Sequence, residues 1–274
     1  MINWQSEKIS SRDNSLLKRI RTLQQVGAKG QKARQTHQET WIEGIHLIQA
    51  WQGDPALHTL ITTKQGLKDS EILLAIEEHL LAFANTRLIE LDDEIWGSIA
   101  ELEHAPQIAG LLSLGELNPT INISSDVLIL DHIQDAGNLG TILRTALASE
   151  FKMIICTPGC AHVWSSKVLR SAMGAHRFLH INENWSVNQI LKKIKVPLLA
   201  ATGQGSSSLF KMGNTLKNPC AWIFGNEGSG ISEELLASAE LISIPHNSQI
   251  ESLNVASAAA ICLFETMRVR GSEN

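Results

Sequence analysis

The chain has 274 residues, 43% of them hydrophobic, which is long enough for two domains and too apolar for a disordered tail. No apolar run approaches the roughly 18 uncharged residues of a membrane span, and the opening MINWQSEKISSRDN lacks an apolar signal core, so a cytoplasmic protein with no membrane association is expected. The net charge of −5 is uneven: residues 1–40 carry eight Lys/Arg against three acids, and the rest is acidic, which fits either a polyanion met at one end or a solvated helix face.

In chain order, Leu16, Leu17, Ile20 and Leu23 recur at helical spacing beside Lys18, Arg19 and Arg21, and GAKG (27–30) is expected to break that helix. TWIEG (40–44) reads as a strand end, IHLIQAW as a short helix stopped by Gly53, and LHTLITT (57–63) as a strand. DSEILLAIEEHLLAFA (69–84) is an amphipathic helix and RLIEL a strand. DDEIWGSIAELEH reads as a helix with Asp92 at its cap, and QIAGLLSL as a further strand. This alternation predicts a small α/β domain over residues 1–114. GELNPTINISS (115–125) is polar and aperiodic, and is expected to be a linker.

The second half, 126–274, alternates more clearly. Strands are expected at DVLILD (126–131), KMIICTP (152–158), RFLHI (177–181), VPLLAAT (196–202), CAWIFG (220–225) and LISIPH (241–246). Helices are expected over 138–149, 165–175, 186–194, 232–239 and 252–269. Near-continuous apolar strands separated by helices predict a parallel sheet covered on both faces. Four cysteines fit a reduced compartment. Cys156, Cys160 and His162 form a C-x3-C-x-H pattern with no second ligand pair nearby, so they read as incidental thiols and no metal site is expected.

Ligands of open α/β sheets sit beyond the carboxyl ends of the strands. Four polar loops fall there: DAGN, GQGSSS, GNEGSG and NSQIESLN. The Walker pattern is absent, and so is a GxGxxG fingerprint after the first strand of this half. A P-loop enzyme and a nicotinamide oxidoreductase are therefore disfavoured. No HExxH or GxSxG motif occurs either.

LDHIQDAGNLGTILRTA, IFGNEGSGIS and IPHNSQIESLNVASAAAICLFE resemble, in order, the three motifs of the SpoU (TrmH-type) branch of the SPOUT RNA methyltransferases. VLRSAMGAH (168–176) resembles the segment between the first two. SSRDN…ETWIEGIHLI resembles that family's substrate-binding domain, which has a ribosomal-protein-like α/β fold. Ala136 stands where the family usually carries proline.

The resemblance implies S-adenosylmethionine as methyl donor, a ribose 2′-hydroxyl of RNA as acceptor, ribosomal RNA by its two-domain layout, a homodimer, and a deep trefoil knot in the carboxyl half. It implies catalytic or site-lining roles for Arg144, Asn138, Glu227, Ser252 and Asn254, and cofactor contacts at Gly225, Ile244 and Leu253, with Thr202 and Gly203 bordering the same pocket. A non-catalytic RNA-binding protein of the same fold is the alternative.

Each residue also has a structural use. Asn138 or Ser252 could cap a helix, Glu227 could favour a helix amino terminus, and Arg144 could form a surface ion pair. Arg170 reads equally as a phosphate contact or an ion pair. Trp4, Trp41 and Trp51 read as core packing or as stacking platforms for bases.

Overall fold

The computed structural model describes residues 5–104, 106–114 and 123–271. Trp4 and positions 115–122 of the expected linker lie outside the described residues. Two compact units divide the chain: Met1–Glu116 with Trp164–Gly174, and Leu117–Val163 with Ala175–Asn274.

The first unit contains β1 (Glu7–Ile9), α1 (Ser15–Leu23), α2 (Gly27–His37), β2 (Glu39–Glu43), α3 (Ile45–Ala50), β3 (Leu57–Thr63), α4 (Ser70–Ala82), β4 (Arg87–Leu91), α5 (Asp93–Trp96) and β5 (Ile108–Ser113). Its mixed sheet runs β1-β4-β3-β5-β2, with β5 antiparallel to both neighbours. Leu16, Leu17, Ile20 and Leu23 of α1 are buried against Trp41, Ile61, Ile89 and Leu111. Trp41 and Trp51 are both buried, so their indoles serve packing.

Three expectations change in this unit. GAKG opens a second helix instead of only ending the first. The two helices meet there: a Cβ on Gly30 would sit 1.6 Å from the Gln25 carbonyl oxygen. Arg34 of α2 is fully buried and donates from Nη1 to the Leu23 carbonyl, which closes the end of α1. The helix expected over 92–104 shrinks to the four residues of α5. Asp92 precedes it without a side-chain capping bond, and Glu43 accepts instead from the Glu101 and Leu102 N–H groups. β1 has no apolar alternation to announce it.

The second unit contains β6 (Val127–Asp131), α6 (Ala136–Ala148), β7 (Met153–Cys156), β8 (His180–Asn182), α8 (Val187–Lys193), β9 (Leu198–Ala201), β10 (Ser207–Ser208), α9 (Gly213–Leu216), β11 (Ala221–Gly225), α10 (Glu233–Leu236), β12 (Glu240–Ser243) and α11 (Val255–Gly271). Between β7 and β8, α7 (Ser166–Ala172) folds with the first unit. Leu169 joins that unit's core, and Trp164 O accepts from Thr40 Oγ1.

All seven strands of the second sheet are parallel, in the order β10-β12-β9-β11-β6-β7-β8. β6 is buried along its whole length, as a strand covered on both faces must be. Val127, Ile129, Ala221 and Ile223 meet Ile190 and Leu235 on one face. On the other, Trp222 donates to Thr266 Oγ1 of α11 at 3.0 Å. RFLHI yields only the short β8, because Ala175–Phe178 forms a single tight turn. GQGSSS contains β10, a two-residue edge strand too polar to read from sequence.

Candidate active site

Because every strand of this sheet points the same way, the loops after β6, β9, β11 and β12 emerge at one edge. There a cavity of about 350 Å³ opens. It is lined by Thr202 and Gly203 after β9, Gly225 at the end of β11 and Glu227 after it, and Ile244, Ser252 and Leu253 after β12. All five residues expected to touch the cofactor line this one cavity. Phe224, Ile231 and Leu236 add apolar walls.

The wall formed by 225–231 folds back on itself. Asn226 and Gly230 exchange both main-chain hydrogen bonds, and Asn226 Oδ1 accepts from the Gly228 and Ser229 N–H groups at 2.8 and 3.1 Å. A Cβ on Gly225 would lie 2.4 Å from the Gly230 carbonyl, so only glycine lets the loop close. Gly205 is similarly close to β12: a Cβ there would lie 2.3 Å from Ser243 N.

At the cavity mouth three separated segments meet. Asn138 Nδ2 donates to Glu227 Oε1. Asn254 Nδ2 donates to Asn138 Oδ1 at 3.1 Å. The capping alternatives resolve differently from expectation. Asp135 caps α6 by accepting from Asn138 N at 2.7 Å, which leaves the Asn138 amide free to face Glu227. Asn254, not Ser252, caps α11, its Oδ1 accepting from Ala256 N and Ser257 N. Ser252 is exposed at the cavity rim. Arg144 lies on the solvent side of α6 and makes no hydrogen bond or ion pair with any described residue.

Beneath the mouth, Asp131 ends β6 as a fully buried carboxylate. Oδ1 accepts from Thr157 Oγ1 at 2.7 Å and from His132 Nδ1 at 2.8 Å, and Oδ2 accepts from Ser232 N at 2.8 Å. Burial pushes this carboxyl up, and hydrogen bonds from the Ser232 N–H, Thr157 and His132 outweigh it, holding it below the ordinary carboxylate value. Asn226 Nδ2 donates to His132 O at 3.0 Å. Neither Asp131 nor Asn226 is among the residues the motifs single out. The available signal was a charged residue closing an otherwise apolar strand.

Two other groups settle into structural roles. Arg170 pairs with Glu101 at 2.7 Å in the first unit. Cys156 is buried on β7, and Cys160 Sγ lies between Leu130 O and Ile133 N.

A parallel sheet with a glycine-walled cavity at its carboxyl edge, lacking both phosphate-loop signatures, defines a ligand-binding α/β protein outside the P-loop and dinucleotide-fingerprint classes. Residues 126–264 match the SpoU rRNA Methylase family, and the chain belongs to that family. It is 30% identical to a protein of Synechocystis described as an uncharacterized tRNA/rRNA methyltransferase, over 95% of this chain and 93% of that one. It is 29% identical to the 23S rRNA (guanosine(2553)-2′-O)-methyltransferase RlmP of Bacillus subtilis, over 81% and 86%. The fold superposes on the AdoMet-bound rRNA methyltransferase of Sinorhizobium meliloti with a TM-score of 0.79, covering 96% of this chain and 98% of that one at 24% identity.

Proposed function

We propose that this protein transfers a methyl group from S-adenosylmethionine to a ribose 2′-hydroxyl of structured RNA, ribosomal RNA in particular. The observation that carries this reading is the meeting of Asn138, Glu227 and Asn254, one from each motif, at the mouth of a cavity lined by Thr202, Gly203, Gly225, Ile244 and Leu253. The cavity fits the donor. Its volume suits a nucleoside-sized ligand, glycine main chain offers close polar contacts, and Phe224, Ile231 and Leu253 offer apolar surface to a base. S-adenosylmethionine supplies an already activated methyl group when bound.

The remaining difficulty is the acceptor, because a ribose hydroxyl is a weak acid that must lose its proton as the new bond forms. Arg144 is suited to grip a phosphate of the target nucleotide bidentately and to stabilise the charge developing on the ribose oxygen. A guanidinium with a pKa above about 12 is a poor base, so the role assigned to Arg144 is electrostatic and positional. Asn138, tied to Glu227 and Asn254, fixes the floor against which the ribose is oriented, and Ser252 borders it. In this reading the first unit holds RNA by its phosphates and shape. The same reading has the carboxyl half forming a trefoil knot, two copies assembling as a homodimer, and the enzyme acting in the cytoplasm. Among the described residues no helix is long and apolar enough to cross a membrane.

A labelled-methyl assay on total RNA, with donor titrated by calorimetry, tests the reading. Arg144→Ala is expected to abolish turnover while donor binding persists. Near-normal turnover in that variant would remove Arg144 from the chemistry. A chain that binds donor yet labels no RNA would favour a non-catalytic RNA-binding role.

A further inference from the structure

We propose that Asp131 is a positioning residue for donor binding, the anchor that holds the cavity wall 225–232 in register with the loop leading to Asn138 and Arg144. The inference rests on the cavity being the donor site. Beyond Gly225, which still pairs with Asp131 in the sheet, and apart from Ile231, which packs in the core, the wall is a loop with no partner strand, and its fold-back through Asn226 and Gly230 fixes its shape more than its place. Three side-chain ties hold that loop to its surroundings: Asn138 to Glu227, Asn226 to His132 O, and the Ser232 N–H to Asp131 Oδ2. The first two join exposed or half-buried groups, which water can compete for. The third ends on a carboxylate with no exposure, itself pinned by Thr157 Oγ1 and His132 Nδ1. A charged acceptor in a buried site gives the stronger and less adaptable bond. Asp131 thus joins the ends of β6 and β7 to the start of α10 at one atom group, and acts on the donor through the loop without touching it.

Two substitutions cut this tie from opposite sides. Asp131→Asn can keep the two bonds at Oδ1 but turns an amide donor toward the Ser232 N–H. Ser232→Pro removes that N–H together with the Ser232 hydroxyl, and the Ser232 φ of −58° is one proline adopts; Ser232→Ala, which loses the hydroxyl and keeps the N–H, separates the two and is expected to bind donor like wild type. Asp126→Asn serves as the control. It weakens the Arg270 pair in the same unit, away from the cavity. The experiment measures S-adenosylmethionine Kd by calorimetry, donor KM and kcat at saturating donor, and melting temperature, on the full chain.

Both tie-cutting variants are expected to raise donor Kd and KM by about tenfold or more while kcat stays within about threefold. The control is expected to lower the melting temperature and leave Kd within about twofold. If Asp131→Asn does not fold, Ser232→Pro decides. The role is overturned if wild type binds donor and the tie-cutting variants bind it within about twofold. It is also overturned if kcat falls with donor KM unchanged, or if the control weakens donor binding equally. A wild-type chain with no affinity for S-adenosylmethionine overturns instead the functional reading on which this rests.

Discussion

Asn254 shows how one side chain can serve both fold and site. Its Oδ1 closes two orphan N–H groups at the start of α11, and its Nδ2 reaches Asn138. The two uses separate by substitution. Asn254→Ala is expected to cost about 1 kcal/mol of stability, the usual worth of an amino-terminal cap. Asn254→Ser keeps a capping oxygen and loses the reaching amide, so it should hold its melting temperature while turnover falls. Denaturant unfolding beside a methyl-transfer assay on both variants checks this. Equal stability loss in the two would mean that the serine does not cap. Arg144 is the opposite case: it is exposed on α6 with no hydrogen-bond or ion-pair partner among the described residues, so Arg144→Ala is expected to leave the melting temperature unchanged.

At the scale of elements, α11 is fastened at both ends by different means. Its first part is buried through Val255, Ala256 and Ala259. Near its end, Arg270 forms a two-pronged pair with Asp126 at 2.6 and 2.9 Å and donates from Nε to the Leu216 carbonyl at 2.8 Å. Asp126 also accepts from Cys220 N, so this one clasp joins α11 to the starts of β6 and β11. Arg270→Met retains much of the side-chain volume and leaves Asp126 without its cation. It is expected to lower unfolding free energy by about 1–3 kcal/mol, the range for a charge-assisted bond with a partly buried partner. A change under about 0.5 kcal/mol in urea denaturation would show that solvent replaces the clasp.

For the molecule as a whole, two properties follow from where charge sits. His176 is fully buried, with Nε2 donating to Val163 O at 2.9 Å, and burial pushes its pKa down from 6.5 to about 4. Between those values the unfolded chain binds a proton that the folded chain refuses. Stability is therefore highest above the unfolded value and falls as pH drops from about 6.5 toward 4, by up to roughly 3 kcal/mol. His176→Gln should flatten that segment of the stability profile; an unchanged slope would assign it to other groups.

The basic stretch 1–40 is less available than its charge count implies. Arg34 is buried, and Lys8, Arg12, Lys18 and Arg19 each have a carboxylate partner. Lys29 and Lys32 are exposed on α2, with no ion-pair partner among the described residues. Lys29→Glu with Lys32→Glu is expected to weaken RNA binding and to reduce its salt slope by about two. An identical slope would place the RNA elsewhere.

Much of this was legible from sequence. Periodicity located most strands and long helices, because a strand covered on both faces must be apolar throughout and a covered helix must repeat near every fourth residue. The glycine and amide loops marked the carboxyl edge, and the motif order pointed to the residues that meet there. Sequence could not show that Asp135 frees the Asn138 amide, that Asn254 caps in place of Ser252, or that α7 folds with the first sheet. It could not show that Asp131 is a buried anchor either. Those outcomes depend on which groups lose water and which partners then stand within hydrogen-bonding distance. The ties of Asp131, Asn138 and Asn254 across the site join positions about a hundred residues apart, so no local pattern records them; the two caps are local bonds, but which of several neighbouring polar side chains makes each one is selected only in the folded chain.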